Sequence, residues 1–260
     1  MFLDVDGNPD NERSRYSALA SGVPGTVAGL CYVLDKYGTM PLKKVIKPAI
    51  HLAKRGFVVT PEFQDALNYI KPKMQQYPES MRVFFTDTQD AYPIGSIFRQ
   101  PDLAKSLNLI KKHGKNGFYK GQVAKLFVDY MAMNGGLITH EDLDAYTVVE
   151  RQAIEGDYRG YKVYAMPPPS SGGVHLVQML NMLEGYNITE MGHNSADTIH
   201  LLSETMKRAY ADRSKYLGDP DFNRVPISQL TSKAYASQLR DQLNLDKITP
   251  STAISPGEPV

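Results

Sequence analysis

The apolar positions Leu42, Val45, Ile46, Ala49, Ile50 and Ala53 return every three or four residues, which places them on one face of a helix over residues 41–55. Pro48 falls inside that stretch. It has no N–H to give and crowds the preceding turn, so the helix is predicted to kink or split there. The same period runs through Phe63, Leu67 and Ile70 behind a Thr60-Pro61-Glu62 start, in which threonine caps and proline takes the first helical position. It recurs in Leu103, Leu107 and Ile110 between Pro101 and Gly114, and in Val123, Leu126, Phe127, Tyr130 and Met131. Residues 21–37 read as a glycine-rich turn feeding a helix that Gly38 stops. Thr139-His140-Glu141-Asp142 has the form of a capping box with aspartate as its acid. Further on, Val174, Val177, Leu180 and Leu183 share a face between Gly172 and Gly185. Ile199, Leu202, Met206 and Tyr210 share another, behind Ser195 or Asp197 as cap, and residues 232–243 form a last amphipathic segment. Residues 72–95 show no such period and are expected to be irregular, anchored by Phe84 and Phe85.

Alternation with period two is confined to short runs. Residues 2–5 alternate and Asp6-Gly7 is a hairpin signal, so the chain is expected to open on a strand in mid-fold, with something upstream of it missing. Residues 147–154 and 161–165 also alternate, with Arg159-Gly160 as a turn, and give the clearest sheet element. The fold class expected is therefore α+β, mainly helical with a small strand element. No internal repeat is present at solenoid periods. From Asp246 onward the chain is polar and carries Pro250, Pro256 and Pro259. Residues 1–246 are accordingly read as one region and residues 247–260 as a proline-rich tail or linker.

Composition narrows the function. A chain of 260 residues removes about 70–75% of its unfolded surface from water, enough for a sizeable core. A net charge of +1 provides no field to draw nucleic acid or an anionic membrane, and the tyrosines are not set in a basic stripe, so neither is an expected partner. No apolar run approaches the eighteen or so residues of a membrane span. The first ten residues are acidic and turn-forming, unlike a signal peptide.

The search for self-sufficient chemistry returns little. The lone Cys31 has no internal partner and lies in an apolar context, so it reads as a buried structural thiol. The six histidines lack the short paired spacing of metal ligands, and Gly22-x-x-Gly25-x-x-x-Gly29 lacks the lysine of a phosphate loop, so no metal or cofactor is expected. Ser171 and His175 stand four apart at a helix start, within reach of each other. No acid stands beside the histidine to orient it, which disfavours a self-contained serine hydrolase. Glu204, Lys207, Arg208, Asp212, Arg213 and Lys215 read as a solvated, salt-laced face of their helix.

One junction stands out. The strand at residues 161–165 leads into Met166-Pro167-Pro168-Pro169, then Ser170-Ser171-Gly172-Gly173 at a helix start. Three prolines make a stiff arm, and two glycines leave room for another backbone or an anion to approach the helix N–H groups. Proline-rich entries to helices are also ordinary, and either serine could be no more than a cap.

Met166-Pro-Pro-Pro-Ser-Ser-Gly-Gly173, read with Ala211-Asp-Arg-Ser-Lys-Tyr-Leu-Gly-Asp-Pro-Asp-Phe222, resembles the large subunit of bacterial γ-glutamyltransferases (glutathione hydrolases). The resemblance extends to Ser21-Gly-Val-Pro-Gly-Thr-Val-Ala-Gly29, Lys36-Tyr-Gly-Thr-Met-Pro-Leu42, Asn134-Gly-Gly-Leu-Ile-Thr139 and Gly156-Asp-Tyr-Arg-Gly-Tyr161, in one order over nearly the whole chain. It implies part of an αββα N-terminal-nucleophile hydrolase sandwich, cut from a precursor that processes itself. It also implies a small subunit of the same precursor as partner, γ-glutamyl substrates such as glutathione, transfer to water or to amino acids and peptides, and a periplasmic or secreted location. In such enzymes a threonine at the new N-terminus of the small subunit is the nucleophile, with its own amine as base. That threonine opens a Thr-Thr-His-like segment beyond the tail, and the arginine that grips the substrate carboxylate lies upstream of Met1. Thr252 lacks the matching context. No catalytic residue is therefore assigned here, and the chain alone is expected to be inactive. Ser170, Ser171, Gly172 and Gly173 remain as candidates for a wall of the pocket or of the subunit interface. The alternatives are a related N-terminal-nucleophile acylase and a non-catalytic binding or scaffold module. Apolar faces left open in a lone chain predict self-association.

Overall fold

The structure, a computed structural model, describes residues 1–259. It divides into two compact units, Met1–Val149 and Glu150–Val260. Helices of eight residues or more are numbered α1 to α8. The class is the one expected, mainly helical with small strand elements.

In the first unit α1 is Thr26–Tyr37, α2 Lys47–Arg55, α3 Pro61–Met74, α4 Pro101–His113 and α5 Gly121–Met133. Two short strands, β1 (Phe57–Val58) and β2 (Ile97–Phe98), pair antiparallel. Pro48 splits its segment as its chemistry requires: a short helix, Leu42–Val45, stops and α2 restarts with proline in its first turn. Thr60 caps α3 by accepting the Phe63 N–H at 3.3 Å. Thr139 and Asp142 complete the capping box from both sides, at 2.8 and 3.3 Å. Tyr119 fixes the start of α1. Its hydroxyl donates to the Pro24 carbonyl at 2.5 Å and accepts the Ala28 N–H, one of the first-turn donors that a helix cannot pair for itself.

Two expectations in this unit need correction. Residues 72–95 are not irregular throughout: α3 continues past Pro72 to Met74, and a further helix runs Pro78–Phe84. Pro72 falls in the last turn of α3, where a missing N–H removes a single bond, and Pro78 begins its helix instead of breaking one. Met81 and Phe85 then join Leu67 in a small core. The opening strand over residues 2–5 is reduced to one bridge between Leu3 and Pro9, because the chain turns back on itself at Gly7 (φ 83°).

In the second unit β3 is Ile154–Tyr158, β4 Tyr161–Ala165, α6 Gly172–Leu183, α7 Ala196–Tyr216 and α8 Lys233–Arg240. β3 and β4 form an antiparallel hairpin with Ile154 opposite Ala165 and Tyr158 opposite Tyr161. The strand expected at residues 147–154 is displaced: the ladder begins where that run ends, at Ile154. The register is set by the turn. Arg159 (φ 49°) and Gly160 (φ 85°) both take positive φ, the geometry that a tight two-residue hairpin needs. Arg159 is held there by donating its N–H to Glu184 at 2.7 Å and its guanidinium to the Tyr186 carbonyl at 2.6 Å. Ile154, Val174, Val177, Met182, Leu230, Tyr235, Ala236 and Leu239 make the core. Gly156 faces Val177 so closely that a Cβ there would collide with the valine side chain, so hairpin and α6 pack without a spacer.

Candidate functional site

The proline arm delivers the chain from β4 to α6 as a tight corner. Gly173 backs onto the carbonyl of Met166, and a Cβ at this glycine would overlap that oxygen. Gly172 stands beside it but is exposed, and a Cβ there would meet only the Ser170 hydroxyl at 3.5 Å. Of the two serines, Ser170 makes a local turn bond, its Oγ accepting the Gly172 N–H at 3.3 Å. Ser171 does not cap the helix. Its Oγ accepts from Nε of Arg213, on α7, at 3.3 Å. Ser170, Ser171 and Gly172 therefore form one edge of small residues at a helix N-terminus, with a guanidinium beside it and Gly173 buried behind it, and such an edge can receive a carbonyl or carboxylate oxygen.

His175 is not part of a nucleophilic pair. It is buried, its ring centroid 5.1 Å from that of Tyr210, and its Nε2 has no hydrogen-bond partner. Burial first, and Arg213 second, push its pKa below the usual histidine value, which keeps the ring neutral. Ser171 is thus bonded to a cation and not to a base. Cys31 is buried on α1. Burial and then Asp35 push its thiol up, away from thiolate chemistry.

The largest departure from expectation lies on α7. Glu204, Arg208 and Asp212 are 1%, 4% and 1% exposed, so half of the face read as solvated is buried, while Arg213 and Lys215 are exposed as expected and Lys207 is half-buried. Glu204 receives Nη1 of Arg208 at 2.9 Å, Nζ of Lys207, and the N–H of Thr249 at 3.0 Å. Arg208 also donates to the Gln242 carbonyl. Asp212 receives Nε2 of Gln178 and the Tyr235 hydroxyl on one oxygen, and the Gly257 N–H at 2.8 Å on the other. Tyr216 closes the set by donating to the Gly257 carbonyl at 2.6 Å. Burial by itself would raise the Glu204 carboxyl. The bonds from Lys207, Thr249 and Arg208 outweigh it and hold the group at about 2. Burial and the Asp212 bond push the Tyr235 phenol up, so it serves as a donor only.

Residues 249–257 are in this way strapped along α7 at two points. The signal was present in the sequence as Glu204, Arg208 and Asp212, four residues apart and alternating in sign on one helical stripe. Such a stripe is ordinary on a surface, and only its partners at Gln178, Tyr235, Thr249 and Gly257, far along the chain, reveal that it is interior.

A model of the family described as gamma-glutamyltranspeptidase matches residues 1–259. The glutathione hydrolase proenzyme of Escherichia coli (strain K12) is 50% identical over 258 residues, which are 99% of this chain and 44% of that protein. The acylase ACY 1 proenzyme of Pseudomonas sp. (strain V22) is 43% identical over 93% of this chain and 43% of its own length. The crystal structure of Helicobacter pylori gamma-glutamyltranspeptidase superimposes with a TM-score of 0.96 at 46% identity, over 99% of this chain and 74% of that one. The chain spans less than half the length of these two curated relatives. No helix of the described residues is long and apolar enough to cross a membrane.

Proposed function

Since the chain belongs to the gamma-glutamyltranspeptidase family, we propose that it is the large-subunit portion of a proenzyme that cleaves γ-glutamyl amides such as glutathione. The γ-glutamyl group passes to water or to an amino-acid or peptide amine. The observation that carries this reading is the match over residues 1–259, joined to a site in which Ser171 is bonded to Arg213 and not to a base. A chain folded in this way binds and positions, while the nucleophile is the N-terminal threonine of a small subunit cut from the same precursor. The threonine hydroxyl attacks the γ-carbonyl and its own amine takes the proton. The glutamyl ester so formed is then opened by water or by the acceptor amine. Backbone N–H groups hold the oxyanion in both steps.

In this reading Ser170, Ser171, Gly172 and Gly173 form a wall facing the rest of the precursor beside the substrate pocket. Their support is the exposed Gly172 at the start of α6 and the guanidinium of Arg213 beside Ser171. Residues 1–246 act as the large-subunit region, and residues 247–260 lead toward the small subunit. The assembled enzyme works in the periplasm or outside the cell, as its family suggests. The acylase relatives favour a second reading, with the same chemistry and a different acyl group.

The test is release of nitroaniline from γ-glutamyl-p-nitroanilide by the 260-residue chain, alone and after co-refolding with the rest of its precursor. No turnover alone and full turnover on complementation is the expected result. Turnover by the chain alone would place a nucleophile within it and overturn the assignment. A complemented enzyme that ignores γ-glutamyl amides but hydrolyses other acyl amides would select the acylase reading.

A further inference from the structure

α7 is inside out. An ordinary surface helix buries an apolar stripe and shows water its charges. Here Glu204, Arg208 and Asp212 are buried, while Ile199, Leu202, Met206 and Tyr210 are 52%, 39%, 45% and 53% exposed. Those four residues recur at intervals of three and four, so they form a continuous apolar stripe along about three turns of the helix. The buried side is already occupied, by α6 and α8 through Gln178 and Tyr235 and by the strap of residues 249–257.

The strap also indicates what covers the other side. It runs in the same direction as α7: Thr249 meets Glu204 and Lys207, and Gly257 meets Asp212 and Tyr216, in the last turn of the helix. Polypeptide that continues past the strap therefore departs from the C-terminal end of α7, on the helix that carries the stripe. The curated relatives are more than twice as long as the stretch that this chain matches. A segment tethered at that point is held at a high effective concentration over the stripe, which favours it over a second, free copy of the chain.

We propose that Ile199, Leu202, Met206 and Tyr210 seat an apolar face of the C-terminal half of the precursor, the half to which the strap leads. The proposal rests on the reading of this chain as one part of a longer proenzyme. Seating and strapping then divide the two sides of one helix: the polar side fixes the path of the connecting chain, and the apolar side receives what that chain delivers.

The experiment uses the full precursor with p-benzoylphenylalanine in place of Met206, and a control with the same group at Asp241, an exposed position just after α8. After irradiation and protease mapping, the group at position 206 is expected to cross-link to the C-terminal half, with at least ten times the yield of the control. Cross-links to a second copy, recognised by mixing two differently tagged precursors, would overturn the proposal in favour of a homodimer face. A yield no greater than the control would overturn it outright. The unmodified precursor is assayed in parallel on γ-glutamyl-p-nitroanilide. A cross-link in a precursor whose wild type is inactive would leave the seat standing and sink the activity reading. An active wild type without the cross-link would do the reverse.

Discussion

Glu204→Ala is expected to lower the free energy of unfolding by about 3–5 kcal/mol, the usual consequence of stranding a buried cation. Arg208 is 4% exposed, and without Glu204 its Nη1 retains only the backbone carbonyl of residue 204. The Thr249 N–H would lose its acceptor as well, and the strap would come free at one of its two anchors. Glu204→Gln keeps an acceptor for Thr249 and removes the charge, so its loss should be smaller. Urea unfolding of the three proteins measures both. A loss below about 1 kcal/mol for the alanine variant would mean that the carboxylate is not what holds Arg208 and the strap.

The same carboxylate predicts an acid limb. Its folded value of about 2 lies below the ordinary 4.5, so its stabilisation is fully present above pH 4.5 and is lost as pH falls toward 2. The depression corresponds to roughly 3 kcal/mol at neutral pH. Wild-type stability should fall by about that amount across this window from Glu204 alone, and Glu204→Ala should lack that part of the fall. Parallel acid limbs in the two proteins would show that Glu204 does not titrate as described.

The second large effect separates two adjacent glycines. Gly173→Ala puts a methyl group into the Met166 carbonyl, an atom fixed by the proline arm, and should cost about 1–3 kcal/mol as an overpacked site. Gly172→Ala adds a methyl group in ordinary contact with a movable hydroxyl, at an exposed position, and should fall within about 0.5 kcal/mol of wild type. If the corner also forms the wall proposed for it, Gly173→Ala in the complemented enzyme loses turnover by more than its melting temperature explains, and Gly172→Ala does not. Equal stabilities of the two variants would show that the corner yields easily and that the close approach at Gly173 is incidental.

The helices were legible because their signals are local. Thr60 before Pro61, the Thr139–Asp142 box and the Pro48 break each act within a few residues, and each took the form its chemistry dictates. The errors arose where distant partners decide. Residues 147–154 alternate as a strand should, but a strand requires a neighbour, and pairing starts only at Ile154, where the Arg159-Gly160 turn sets the register. On α7 both stripes are regular, and helical period alone cannot say which one faces inward. The choice is made by Gln178, Tyr235, Thr249 and Gly257, which bring hydrogen bonds to the charged stripe and leave the apolar one open. At the arm, composition marked residues 170–173 as a place of close approach. It could not indicate that Ser171 would turn to Arg213 instead of capping its own helix.

The strap bears on how this stretch would behave toward a protease. Proline-rich polar linkers are ordinarily where limited digestion begins, because they are unanchored and detach freely. This one is fastened through the amide hydrogens of Thr249 and Gly257 to carboxylates that water barely reaches. Those two amides exchange with solvent only when the carboxylates of α7 release them, so they report the opening of the helix bundle and not the looseness of a tail. A fragment map cut by composition would trim the chain near residue 246. In doing so it would take one backbone donor from each of two buried carboxylates, leaving Glu204 to Arg208 and Lys207, and Asp212 to Gln178 and Tyr235.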